Sequence, residues 1–246
     1  MNAVLKQMLE SKIVTDGRET YPLHSNMKPE EGALIQRVID TVRPSTTLEV
    51  GMAYGVSTLY ICDALARLPG PVRHMAIDPV QSTIWRGIGH RNVREAGYGH
   101  MVEVIEEGSE LALPRLLSGK TQIEVGLIDG WHTFDHALID FFYINKMLAV
   151  GGIVILDDVG GYEAIHRLVC HILTYPAYRL FGTVPPKDRS PSLMGRARRL
   201  LSRVPGARRL LNPNLLERTW DKGWGSCVAV QKVTPDDRSW DWHEEF

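Results

Sequence analysis

At 246 residues and 44% apolar composition the chain suffices for one large α/β domain with a buried core, which argues against general disorder. A formal net charge of −1 gives no whole-chain footprint for nucleic acid. Cys62, Cys170 and Cys227 match no zinc or redox spacing, the N-terminus lacks a long apolar leader core, and no stretch approaches transmembrane length. A cytoplasmic location is therefore expected.

In chain order, two helices are predicted near 2–11 and 29–43, the second opened by Pro29, Glu30 and Glu31, which suit a first turn and its positive end. From 46 to 158 short apolar runs alternate with amphipathic stretches. The runs are Thr47–Gly51, His74–Asp78, Val102–Ile105, Val125–Asp129 and Ile153–Asp157; the helices fall near 57–68, 82–96, 109–118 and 132–149. Nearly continuous apolar character marks strands covered on both faces, so the alternation predicts βαβ units in a doubly wound, mostly parallel sheet. A helix near 161–174 follows, then strands at Tyr178–Val184 and Ser226–Val233, which bring the expected sheet to seven strands. The predicted organisation is a helical lead-in over 1–45 and one domain over 46–246, with an insertion at about 187–222.

That insertion is basic. Residues 187–218 hold nine Lys/Arg against two acids, a local +7 in a chain whose total is −1. Leu193, Leu200, Leu201 and Val204 fall along one helical side, as in a lid, a subunit contact or a membrane-surface helix. Asp236, Asp237, Asp241, Glu244 and Glu245 offer it acidic partners within or between chains, so a homodimer is one expectation.

Four strand ends carry the chemistry. Leu48-Glu-Val-Gly-Met-Ala-Tyr-Gly-Val-Ser57 runs from a strand through a glycine turn into a helix, where Gly51 and Gly55 permit close ligand approach and free N–H groups suit a carboxylate or phosphate. Its G-x-x-x-G spacing is not the dinucleotide G-x-G-x-x-G. Asp78, 27 residues after Gly51, ends the second strand of the alternating region and suits ribose hydroxyls; alone it would read as a helix cap. Asp129 ends the fourth, in Leu127-Ile-Asp-Gly-Trp-His132, and Asp157–Asp158 end the fifth. In a doubly wound sheet these ends open into one crevice. Three carboxylates there repel one another unless a cation sits between them, and oxygen ligands favour a hard ion such as Mg²⁺.

Taken together these residues resemble the class I S-adenosylmethionine-dependent methyltransferases, in their metal-dependent O-methyltransferase branch, over roughly residues 27–158. Catechol O-methyltransferases and antibiotic-sugar O-methyltransferases are the similar groups. The resemblance implies a Rossmann-like methyltransferase fold with an antiparallel last strand. It implies that Glu49, Gly51, Tyr54 and Ser57 hold the methionine part of the cofactor S-adenosylmethionine, with Met27 also touching it. Asp78 would bind the ribose, Gly108–Ser109 would lie by the adenine, and Asp129 would stand beside the cofactor. Asp129, Asp157 and Asp158 would hold Mg²⁺ or another divalent cation. Where the catechol enzymes carry a lysine base, this chain has His132, and imidazole suits a base near neutral pH.

The expected function is methylation of a small-molecule hydroxyl of phenol, catechol, sugar or polyketide type. Alternatives are an RNA or protein methyltransferase using the basic insertion and a cofactor-binding regulator without chemistry. His136, His166 and His171 read as surface or packing residues, and Trp131, Trp220 and Trp224 as candidate walls of an acceptor site.

Overall fold

A computed structural model describes residues 1–185 and 223–243. The elements run α1 (Ala3–Ser11), β1 (Ile13–Thr15), β2 (Thr20–Pro22), α2 (Pro29–Val42), β3 (Thr46–Val50), α3 (Val56–Leu65), β4 (Arg73–Ile77), α4 (Ile88–Glu95), β5 (Val102–Ile105), α5 (Ser109–Ser118), β6 (Ile123–Ile128), α6 (Phe134–Met147), β7 (Leu148–Leu156), α7 (Glu163–Ile172), β8 (Tyr178–Thr183) and β9 (Val228–Lys232).

Seven strands form one sheet in the order β5-β4-β3-β6-β7-β9-β8. From β5 to β7 all neighbours are parallel; β9 lies antiparallel to both β7 and β8. Both faces are covered, which is why the strands read as unbroken apolar runs. On β7, Ile153 and Ile155 join the core shared with α1 to α4, while Val154 and Leu156 join the core under α5, α6 and α7. All four are at most 1% exposed, and each such side chain stabilises by about 1.5–3 kcal/mol.

The chain winds outward from β3 through β4 to β5, then returns to β6 on the other side of β3. The switch point therefore lies between the carboxyl ends of β3 and β6, where α/β sheets open a ligand crevice. The antiparallel β9 and the seven-stranded doubly wound sheet agree with the expected fold class.

Some boundaries differ from expectation. The lead-in also holds the hairpin β1–β2, whose strands are three residues each and too short for a period to show. The helix expected over 82–96 begins only at Ile88, because Arg86 (φ 54°) and Gly87 (φ 68°) are left-handed and break it. The basic stretch 187–222, Trp220, Glu244 and Glu245 lie outside the described residues. Among the described residues no helix is long and apolar enough to cross a membrane.

Candidate functional site at the carboxyl edge of the sheet

The glycine turn after β3 is fixed by its neighbours. Gly51 has φ 91°, and a Cβ added to it would stand 2.0 Å from the Asp129 carbonyl oxygen. Only glycine lets the turn lie so close against the end of β6. Gly51 N donates to Ile77 O at 2.9 Å and Asp129 N to Val50 O at 2.9 Å, so the ends of β3, β4 and β6 are held together. Gly55, at φ 83°, opens α3, whose first-turn amides face the crevice end without helical partners.

Asp78, 3% exposed, braces this turn from β4. Its Oδ2 accepts from Met52 N at 3.2 Å, Ala53 N at 2.8 Å and Gln81 Nε2 at 3.1 Å, and its Oδ1 from Val80 N at 3.0 Å. Gln81 also donates to Ala53 O at 2.7 Å, and Asn92 Nδ2 to Tyr54 O at 2.9 Å. Neither amide stood out in the sequence, since a lone Gln or Asn carries no spacing signal.

The remaining residues expected at the cofactor have these surroundings. Glu49 is fully buried between β3, β4 and α3, accepts from the Thr58 hydroxyl, and lies 3.1 Å from His74 Nε2; its Oε2 has no hydrogen-bond partner. Tyr54 points toward the lead-in, its hydroxyl 3.0 Å from His24 Nε2 and its ring edge-on to Trp85. Met27, 2% exposed, belongs to the core on the α1–α4 side, and Ser57 is 5% exposed in the first turn of α3. Gly108 is the extended cap of α5, and Ser109 opens that helix.

At the ends of β6 and β7, Asp129, His132 and Asp158 bring one ligand atom each within 4.8 Å of the others. His132 Nε2 stands 2.8 Å from Asp158 Oδ2, and this contact raises the imidazole above its ordinary range although burial opposes it. Asp158 adopts φ 58°, and its carbonyl accepts from Gly161 N and Tyr162 N, each at 2.9 Å. Asp157 lies outside the 4.8 Å group. It is 8% exposed, and its Oδ1 has no hydrogen-bond partner. Burial, then Glu31 and Asp158, push its carboxyl up to about 7. Burial and the charges of Asp157 and Asp158 also raise Asp129 well above the carboxylate range. The three carboxylates expected as ligands thus lie at the ends of β6 and β7, and the 4.8 Å group holds His132 in place of Asp157.

Aromatic rings border the cluster. Tyr162 stacks on His132 at 4.3 Å between centroids and 17° between planes, and exposed Trp131 stacks on His136 at 5.3 Å. Tyr162 was not among the expected site residues, because nothing local places it over His132. Trp224 lies against buried His166 at 5.0 Å, whereas His171 pairs with Tyr175 on α7.

The sheet order and the glycine turn at its switch point define a class I methyltransferase fold. Residues 48–159 match the family described as a methyltransferase domain. A transmembrane O-methyltransferase homolog of Mus musculus is 33% identical over 138 residues, covering 55% of this chain and 52% of that protein. The chain thus spans about half the length of that relative, and 36% of the transmembrane O-methyltransferase of Propithecus coquereli. Among solved structures, the Bacillus cereus O-methyltransferase in complex with SAH superposes with a TM-score of 0.59 at 19% identity, over 73% of this chain and 83% of that one. The O-methyltransferase TomG of Streptomyces achromogenes, involved in tomaymycin synthesis and solved with SAM, gives 0.55 at 17% identity over 95% and 91%.

Proposed function

We propose that the chain is an S-adenosylmethionine-dependent O-methyltransferase acting on a small-molecule hydroxyl with the help of a divalent cation. The observation that carries this reading is the convergence of Asp129, His132 and Asp158 beside the Gly51 turn. The residues present fit a cation: several acids crowd together with little positive charge facing them, and the buried Asp157 Oδ1 is unpartnered. Asp129, Asp157 and Asp158 would hold it. A divalent cation supplies Lewis acidity that lowers the pKa of an acceptor hydroxyl, and S-adenosylmethionine supplies an electrophilic methyl group.

The chain's own residues would do the remaining work. The Gly51 turn and the first amides of α3 bind the amino-acid end of the cofactor, and Asp78 holds the loop in the shape that receives its ribose. Gly108 and Ser109 would lie beside its base. Holding two reactants in one crevice can remove on the order of 7–11 kcal/mol from the barrier. His132 takes the acceptor proton, and Asp158 stabilises the imidazolium that forms. Tyr162 fixes the ring plane of His132 and, with Trp131, offers flat apolar surface to an acceptor.

A second arrangement, in which His132 ligates the cation with Asp129 and Asp158, is favoured by their 4.8 Å grouping. His132→Ala separates the two. As a base, its loss should cut turnover about 10²–10⁴-fold with Mn²⁺ and S-adenosylhomocysteine affinities kept; as a ligand, its loss should take Mn²⁺ affinity too. The broader reading fails if titration calorimetry finds no binding of S-adenosylhomocysteine to the wild type.

A further inference from the structure

Glu31 sits in the first turn of α2, outside the matched residues 48–159, yet it is 3% exposed. A helix-opening acid is ordinarily solvated; this one is clamped from two distant parts of the chain. Its Oε1 accepts from the Ser226 hydroxyl, 195 residues away, just before β9, and lies 3.3 Å from Lys28 Nζ. Its Oε2 accepts from Lys28 N at 2.5 Å. Ser226 carries the link to the strand ends: its carbonyl accepts from Val159 N at 2.8 Å, one residue past Asp158, so the Glu31 carboxylate is held beside the end of β7. Facing positive charge is scarce: Lys28 is half-exposed, and His132 is engaged by Asp158.

A buried acid near a cluster of three others costs stability unless something positive joins them. Asp157 Oδ1, buried and unpartnered, points to the same missing charge. We propose that Glu31 is a positioning residue of the cation site, its fixed negative charge raising that site's affinity for a divalent cation. The proposal rests on the cation reading given above. It makes the lead-in part of the functional site, because α2 would contribute charge to a centre whose ligands lie on the ends of β6 and β7. Partners of this outer kind typically change metal affinity about 10–100-fold when removed.

The test compares the full-length wild type, Glu31→Gln and Glu31→Asp by Mn²⁺ titration calorimetry and by melting in EDTA. Gln suits the same helix position; its amide oxygen can accept from Lys28 N while its NH2 donates to the Ser226 hydroxyl oxygen, so folding should survive. Glu31→Gln should bind Mn²⁺ about tenfold more weakly and melt higher than wild type in EDTA, because a repelling charge has gone. Glu31→Asp, which keeps the charge, should retain most of the affinity. Equal Mn²⁺ affinity in wild type and Glu31→Gln overturns the proposal, as does a lower melting temperature of Glu31→Gln in EDTA, the mark of a merely structural role. A wild type that binds no Mn²⁺ overturns the cation reading itself, a distinct failure.

Discussion

Asp140, 1% exposed on α6, is where pH should register in stability. Burial pushes its carboxyl up to about 6; the Ser109 hydroxyl and the charge of His136 pull it down, and Glu110 pushes it up. The folded state therefore holds this proton more tightly than the unfolded chain, whose ordinary value is 3.8. The associated stability is fully present below about pH 4 and is lost as pH rises through about 6. Asp140→Asn should thus be more stable than wild type by a margin that opens between pH 4 and 6 and reaches at most about 3 kcal/mol above. Thermal melts across that range check it, and a margin independent of pH would contradict it. The sequence showed Asp140 only as one position in an amphipathic helix. By contrast it exposed Gly51, Asp78, Asp129, Asp157 and Asp158, because strand-end residues next to glycine turns carry a positional signature. Side-chain direction stayed hidden: Tyr54 turns to His24, which no local spacing encodes.

At the level of elements, α6 runs directly into β7, so the last carbonyls of the helix need donors from elsewhere. Lys232, 7% exposed on β9, provides them: its Nζ donates to Asn145 O at 2.7 Å and Leu148 O at 3.1 Å. The Tyr178 hydroxyl donates to Asn145 Oδ1 at 2.7 Å nearby. Lys232→Met should cost about 1–3 kcal/mol by orphaning those carbonyls, measured by urea unfolding with the far-ultraviolet spectrum unchanged. Unaltered stability would mean that water replaces the ammonium. Which strands exist was readable, since double coverage writes itself as unbroken apolar runs. The helix start at Ile88 was not, because left-handed Arg86 gives no compositional warning.

Across the whole molecule, a ligand seated between the ends of β3, β4 and β6 should bind only the folded chain. S-adenosylhomocysteine at a hundred times its dissociation constant should then add about 2.7 kcal/mol of stability and raise the melting temperature by about 5–10 °C. Scanning calorimetry with and without the ligand measures this, and Gly51→Ala should abolish the rise, since its Cβ would collide with the Asp129 carbonyl. No shift in the wild type would count against the crevice as a cofactor site. The amino-acid order by itself determined the alternation of strands and helices, the parallel sheet and the carboxylates at its edge, because burial on two faces and turn chemistry are local demands on residue type. Only the tertiary structure decided that His132 meets Asp158, that Tyr162 covers it, and that Glu31 from the lead-in is held by Ser226 at the edge of β9. Those contacts join residues far apart in the chain, and they exist only once the sheet has brought its strand ends together.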